Sequence, residues 1–314
     1  MRPPPPPSQF PRYPVVGGLA LLAIAVTLAY WSKRVDISPL EGSPMLRHGQ
    51  WWRLVTTILP HGSPMHLVFN IYWLWVFGTL VEEEFGHARA LGVVLLFAVG
   101  SSAADYALAH GGIGLSGVGF GLFGLLWVLS RYDPRFRGAV DPNTAVVFTV
   151  WFFLCIVLTY TGAMHVANVA HGAGALLGAA LGMAIARPRR RPVWAAALAL
   201  FLAASVAAAS YGRHYVNFTA DRGRELAILG TEDLVASRNA RAASRLAEAV
   251  RVDDQQAGAW FNLGVARERL GQQAEAGRAF ARAADLEPGN PKFRAAAGRV
   301  GRDEASRDYT DRSD

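Results

Sequence analysis

The stretch GIGLSGVGFGLFG, residues Gly112–Gly124, places six glycines and one serine, Ser116, among apolar residues. Glycine weakens a helix by about 1 kcal/mol relative to alanine, so this density needs a packing or functional reason. Glycines four residues apart let two membrane helices approach closely. This spacing occurs here and in a later apolar segment, at Gly117 and Gly121 and at Gly174 and Gly178. We therefore predict that the two segments pack together and bring Ser116 against the later one.

The apolar residues around this stretch indicate a membrane protein. The chain of 314 residues is 52% hydrophobic and has a mean hydropathy of +0.20, which is high for a soluble protein. A membrane-spanning helix needs about 20 mostly apolar residues. Seven segments qualify, and the last is VWAAALALFLAASVAAASYG, residues 193–212. The third is short and ends near Asp105, so it qualifies if Asp105 faces either the lumen or the helix bundle. We predict an all-α polytopic bundle of six core helices plus a seventh span, since so many segments exclude a signal peptide.

Charged residues indicate the orientation of the chain. The net charge is +7, yet residues 213–314 hold 17 Lys and Arg against 16 Asp and Glu, so a nucleic-acid partner is not expected. With a cytoplasmic N-terminus, ten arginines lie in inner loops and four basic residues in outer loops, as the positive-inside pattern requires. We predict a multi-pass protein of a bacterial inner membrane with residues 213–314 outside. If residues 192–212 lie along the inner surface instead, that region is cytoplasmic.

The predicted organisation has four parts. They are a proline-rich tail expected to be extended (1–12), the membrane core (13–187), the seventh transmembrane helix (188–212) and a helical repeat region (213–314). In the last part a 34-residue self-similarity centres on AWFNLGVARERLGQQAEAGRAFARAADLEPGN, residues 259–290, which resembles a tetratricopeptide repeat. The alternative is a plain helical tail.

Four polar residues are predicted to lie at membrane depth and to have side chains suited to act together in catalysis: His66, Asn70, Ser116 and His171. His66 and Asn70 are four residues apart and share a helix face, and His171 lies in the sixth span. Hydrogen bonding between helices is the simpler role for any one of them. A serine hydroxyl such as that of Ser116, however, becomes a nucleophile when a histidine takes its proton. Asn and His side chains and a backbone N–H can then stabilise the oxyanion of an acyl-transfer intermediate.

Together the motifs resemble those of the rhomboid intramembrane serine proteases over residues 13–187. Gly-x-Ser-Gly alone is a weak signal, whereas five ordered motifs are specific. The five are Trp52-Arg53; His61, His66 and Asn70; Gly78 and Glu82; Gly114-Leu115-Ser116-Gly117; and Ala170, His171, Gly174 and Gly178.

The resemblance implies a Ser–His dyad in which Ser116 is the nucleophile and His171 is the general base and acid. His66, Asn70 and the backbone N–H of Ser116 would line the oxyanion hole, with Gly114 beside them. Phe120 departs from the pattern, because well-known members carry a tyrosine there, near the catalytic histidine. Structural support or contact with lipid is implied for the remaining residues: His61, Trp52, Arg53, Glu82, Gly117, Phe120, Gly174 and Gly178.

The expected function is endoproteolysis of membrane-anchored proteins within or beside their transmembrane segments. No metal or cofactor is expected, and the expected partners are transmembrane substrates, the lipid bilayer and a protein that binds the repeat region. The alternative is an inactive rhomboid-like protein that binds transmembrane clients and uses the repeat region as a scaffold. The presence of both Ser116 and His171 favours the enzyme. A transporter is disfavoured because no internal repeat occurs among the spans.

Overall fold

The structure is a computed structural model in which residues 3–299 are described, and within that range the regular elements are helices. The membrane part consists of α1 (Pro14–Trp31), α2 (Arg53–Thr56), α3 (Pro64–Trp73), α4 (Thr79–Phe85), α5 (His87–Leu108), α6 (Ser116–Tyr132), α7 (Pro142–Tyr160), α8 (Asn168–Ala186), α9 (Arg191–Ala207) and α10 (Arg213–Val216). After it come α11 (Asp221–Val235), α12 (Asn239–Val252), α13 (Ala257–Arg269), α14 (Gln273–Leu286) and a helical segment at 291–299. The predicted all-α fold with a helical C-terminal part is confirmed.

Six helical stretches among the described residues are long and apolar enough to cross a membrane. α3 and α4 form one of them through a π-helical turn, Leu74–Gly78, and α9 and α10 belong to another, Pro188–Val216. α6 has 17 residues, fewer than any of the six, and most of its side chains are buried in the bundle. The chain is therefore a multi-pass integral membrane protein whose central helix is α6.

Glycines allow the backbones of α6 and α8 to touch. A Cβ atom on Gly174 would collide with the carbonyl oxygen of Gly117, and one on Gly178 would collide with the carbonyl oxygen of Gly121. In lipid, where apolar burial does not drive helices together, such backbone contact supplies the packing that holds them. The serine at the start of α6 and the histidine near the start of α8 are thereby brought to the same level.

The N-terminal segment is folded against the bundle, whereas an extended tail was expected. Residues Pro7–Arg12 form a 3-10 helix. Trp75 holds this segment against the bundle, since its ring stacks on that of Phe10 with centroids 5.8 Å apart and its indole N–H donates to the carbonyl of Pro5 at 2.9 Å. Tryptophan offers both a large apolar face and one donor, and the segment uses both.

Glu82 caps α1 from another helix. Its carboxylate, 1% exposed, accepts hydrogen bonds from the N–H groups of Val15 and Val16 at 3.0 and 2.9 Å. The first N–H groups of a helix have no partner within it, and a negative charge is favoured there. Glu82 therefore ties the start of α1 to the end of α4.

The chain divides into two compact units, Met1–Val216 and Asn217–Asp314. In the second unit two helical hairpins repeat with the predicted period of 34 residues. A Cβ on Gly230 would lie 2.6 Å from Leu246, and one on Gly264 would lie 2.5 Å from Phe280, the equivalent residue 34 positions later. Each hairpin therefore seats a large buried side chain of its second helix against a glycine of its first.

Asp233 organises charges in the first of these hairpins. It is fully buried, and it accepts hydrogen bonds from Arg238, Arg241 and Arg245 at 2.6, 3.1 and 2.7 Å. Burial alone would raise the pKa of Asp233, but the hydrogen bonds and charges of the three arginines hold that pKa below its ordinary value. The carboxylate therefore stays ionised at neutral pH.

Candidate active site

The side chains of Ser116 and His171 are in hydrogen-bond contact. Ser116 is the first residue of α6, and His171 lies one turn into α8. The Nε2 atom of His171 is 2.9 Å from the Oγ atom of Ser116. This distance is suited to proton transfer between a hydroxyl and an imidazole.

His171 is held by packing. Its ring is 3% exposed and stacks on the ring of Phe120 with centroids 4.5 Å apart and an angle of 21°. Its Nδ1 atom has no hydrogen-bond partner among the described residues. Within that part of the chain, the pair is thus not extended by a carboxylate as in a triad, and ring stacking orients the imidazole.

Hydrogen bonds from Thr57 and His61 to backbone groups fix the loop that precedes Ser116. Thr57 contributes two of them, since its hydroxyl donates to the carbonyl of Gly112 at 2.9 Å and its own carbonyl accepts from the N–H of Gly114 at 3.1 Å. The N–H of Leu115 donates to Nε2 of His61 at 3.3 Å. The residue before the serine is therefore tied to a side chain from the segment between α1 and α3.

His61 serves this role as a neutral ring. Burial, with a smaller effect of the neighbouring His66, lowers the pKa of His61 to about 4. Because Nε2 accepts from Leu115, the ring proton lies on Nδ1, 3.0 Å from the carbonyl of Leu59. Both ring nitrogens of His61 are therefore engaged in hydrogen bonds to the backbone, with Leu115 and Leu59.

Gly114 provides space rather than a free donor. Its φ is +107°, in the region that favours glycine, and a Cβ there would lie 2.6 Å from Cε1 of His66. Because its N–H is bonded to Thr57, it has no N–H to offer an oxyanion. Any side chain at this position would displace His66 from the serine loop.

Three groups that can donate hydrogen bonds belong to residues lining the same cavity as the serine hydroxyl: the N–H of Ser116 and the side chains of His66 and Asn70. The N–H of Ser116 has no acceptor in the described part of the chain, as is usual in the first turn of a helix. His66 packs edge-on against His61 with ring centroids 4.8 Å apart. Asn70 is 7% exposed, and its amide donates to the carbonyl of His66 at 2.9 Å, which leaves its second N–H for another acceptor.

A cavity of about 810 Å³ joins these groups, and it is lined by both polar and apolar side chains. Ser116, His66, Asn70 and His171 are among its polar lining residues. Aromatic and aliphatic side chains of α3 and α7 form much of the remainder: Met65, Phe69, Trp73, Val147, Phe148 and Trp151. The cavity can therefore accept an apolar polypeptide segment next to the serine.

Comparison with known proteins covers this part of the chain. Residues 48–188 match the Rhomboid domain. The chain is 34% identical to the rhomboid protease GlpG of Serratia proteamaculans (strain 568) over 154 residues, which are 48% of this chain and 52% of that protein. It is 31% identical to the GlpG of Photorhabdus laumondii over 134 residues, 42% of this chain and 46% of that protein. The chain spans about half the length of the curated relatives it matches. These matches support the rhomboid family for residues 48–188.

Within the segment that matches the Rhomboid domain, Trp52 and Arg53 lie apart from the cavity. Arg53 is 8% exposed and its guanidinium donates to the carbonyls of Ser38 and Glu41. Trp52 is half exposed and donates to the carbonyl of Pro39 at 3.3 Å. The pair thus holds the segment that follows α1, and Arg53 reaches the cavity indirectly because Glu41 lines it.

Two residues that support the candidate site were not predicted from the sequence. Thr57 holds the serine loop, and no signal marks it because threonine is common in helices and loops alike. Asp105 contacts the same loop and α8, and its sequence signal was a charge inside an apolar segment. The structure places its carboxylate in the bundle, which decides between the two environments that the sequence left open.

Proposed function

We propose that this protein is an intramembrane serine endopeptidase that cleaves transmembrane proteins within or next to their membrane-spanning helices. The observation that carries the proposal is the 2.9 Å contact between Nε2 of His171 and Oγ of Ser116 at the wall of the cavity. The match of residues 48–188 to the Rhomboid domain supports the same reaction.

The chemistry follows the order of an acyl transfer. His171 takes the proton of the Ser116 hydroxyl at Nε2 while Oγ attacks the scissile carbonyl carbon, and a tetrahedral oxyanion forms. The intermediate collapses when Nε2 gives that proton to the nitrogen of the leaving peptide, so that the C–N bond breaks. A water molecule then attacks the acyl ester in the same way, and Ser116 regains its proton as the new carboxyl end departs.

The oxyanion requires donors that are in place before it forms. The N–H of Ser116, the side chain of His66 and the amide of Asn70 supply them in this proposal. Phe120 positions His171 by stacking, which compensates for the absent tyrosine hydroxyl. Glycines 117, 174 and 178 keep α6 and α8 close enough for the dyad to form.

The apolar walls of the cavity support a transmembrane substrate. A stretch that has left its helical conformation exposes backbone groups that lipid cannot satisfy. The polar side of the cavity accepts such groups, while the aromatic side chains of α3 and α7 receive the apolar ones.

The proposal extends to the second unit and to the orientation of the chain. The 34-residue hairpins support a tetratricopeptide-like region that binds a protein partner or the outer domain of a substrate. Tethering a substrate there would raise its local concentration near the site. With a cytoplasmic N-terminus in a bacterial inner membrane, seven spans place this region on the outer side, where Ser116 opens.

Labelling with a fluorophosphonate probe tests the proposal. The purified full chain should be modified at Ser116, as mapped by mass spectrometry, and Ser116→Ala and His171→Ala should abolish both labelling and cleavage of a transmembrane substrate. Because nucleophile and base act as one unit, the double variant should be no worse than either single one. Cleavage by a folded Ser116→Ala protein would refute the dyad.

A further inference from the structure

A buried aspartate, Asp105, lies next to the dyad without contributing to its chemistry. It is 2% exposed and sits in the last turn of α5, inside a membrane-spanning helix. A carboxylate at such depth is costly and persists where it is paired or hydrogen-bonded. Its partners therefore indicate what it does.

Its hydrogen bonds join the two elements that carry Ser116 and His171. One carboxylate oxygen accepts from the N–H of Ala170, the residue before His171, at 3.2 Å. The N–H of Gly112, four residues before Ser116, also donates to this carboxylate. A single side chain thus binds the serine loop and the first turn of α8.

α8 depends on this contact for its capping. Its N-cap, Ala167, has no side chain able to accept a hydrogen bond, and the helix begins without a side-chain cap of its own. The N–H groups of a first turn need acceptors, and a negative charge is favoured beside them. Asp105 supplies both from α5.

Arg213 holds the end of α5 that presents Asp105. Its guanidinium donates to the carbonyl of Tyr106 at 2.7 Å and to that of Ala109 at 3.1 Å, and it lies 4.2 Å from the centre of the Tyr106 ring. Arg213 belongs to the last of the six stretches able to span a membrane, Pro188–Val216, so that stretch braces the site.

We propose that Asp105 is a positioning residue that sets the distance between Ser116 and His171, and that Arg213, in the stretch Pro188–Val216, keeps it in place. The proposal rests on the proposed Ser–His dyad. Without the shared carboxylate, the serine loop loses its direct tie to the first turn of α8, and only the glycine contacts between α6 and α8 still hold the 2.9 Å contact. A misplacement of about 1 Å in a catalytic pair costs on the order of 10²-fold in rate.

Asp105→Asn is the decisive variant because it keeps the shape of the side chain while one of the two acceptor oxygens and the charge are lost. We expect kcat and the rate of fluorophosphonate labelling at Ser116 to fall by about 10- to 10²-fold while KM is unchanged. Arg213→Lys keeps the charge but not the planar fork that reaches two carbonyls, and should give a smaller loss of the same kind.

Glu82→Gln is the matched control. Glu82 is an equally buried carboxylate that caps α1 through the N–H groups of Val15 and Val16, and it does not line the cavity. It should lower the melting temperature as Asp105→Asn does, yet keep wild-type kcat and labelling at temperatures well below melting.

The outcomes separate the two proposals. Wild-type kcat and labelling in Asp105→Asn, an equal loss of kcat in Glu82→Gln, or a change in KM alone would overturn the positioning role and leave the dyad intact. If the wild-type protein is not labelled at Ser116, or Ser116→Ala still cleaves, the proposed function itself fails whatever the Asp105 variants do.

Discussion

Replacing Gly174 by alanine tests whether backbone contact between α6 and α8 sets the geometry of the candidate dyad. The added Cβ would collide with the carbonyl oxygen of Gly117, one residue after Ser116. A backbone carbonyl inside a helix cannot rotate away as a flexible side chain can. The two helices must therefore separate.

The size of the effect follows from contact distances. A carbon and a carbonyl oxygen approach to about 3.3 Å at closest, and the added atom falls well short of this, so we expect a separation on the order of 1 Å. The contact between Nε2 of His171 and Oγ of Ser116, 2.9 Å in the structure, would then exceed hydrogen-bond range. We expect kcat to fall on the order of 10²-fold, equivalent to about 2.7 kcal/mol of barrier. Overpacking should also cost about 1–3 kcal/mol of stability.

The assay is cleavage of a fluorogenic transmembrane substrate in detergent micelles, with the fluorophosphonate labelling rate as a second readout. Gly172→Ala is the control, since it makes the same change two residues earlier in α8. A Cβ there would meet Phe152 at 3.7 Å, an ordinary contact. This control should therefore retain activity, and its greater helix propensity should leave its stability equal or higher.

Two results would refute the reasoning. Gly174→Ala with wild-type kcat and labelling would show that the helices accommodate the methyl group without moving the dyad. Equal losses in Gly172→Ala and Gly174→Ala would show that any alanine in this turn disturbs the site, so that the Gly117 contact has no special part.

Three further predictions concern other parts of the chain. His66→Ala and Asn70→Ala should each lower kcat by about 10²-fold or less, because the N–H of Ser116 remains as a donor; a higher KM with unchanged kcat would indicate a role in binding alone. Because the folded-state pKa of Asp233 is depressed, its carboxylate stabilises α11 and α12 at neutral pH. Hydrogen exchange in the full chain should show that the amides of these helices lose the protection due to Asp233 as pH falls below about 4. In Asp233→Asn that protection should be absent at all pH values. Alkaline phosphatase fused after Asp314 should be active if the repeat region lies outside, whereas fluorescence from a cytoplasm-only reporter there would contradict that orientation.

The sequence was sufficient for the class of structure and for the residues that the proposal uses. In lipid every backbone group must be satisfied within the segment, so apolar length alone predicts a helix, and the predicted all-α bundle is confirmed. The glycine spacings on the segments of Gly117 and Gly174 predicted a close contact between two helices. Ser116, His171, His66 and Asn70 were chosen because each is a reactive or polar type at membrane depth.

The tertiary structure decided what surrounds those residues. Only the folded structure brings Asp105 into the bundle, where it accepts a hydrogen bond from Ala170, 65 residues away in sequence, and brings Thr57 against Gly112 and Gly114. Residues Pro7–Arg12, expected to be extended, fold because Trp75 receives them. Hydropathy is a sum over neighbouring residues and is therefore visible in the chain itself. A hydrogen bond between distant segments depends on atoms meeting within about 3 Å, which no local pattern encodes.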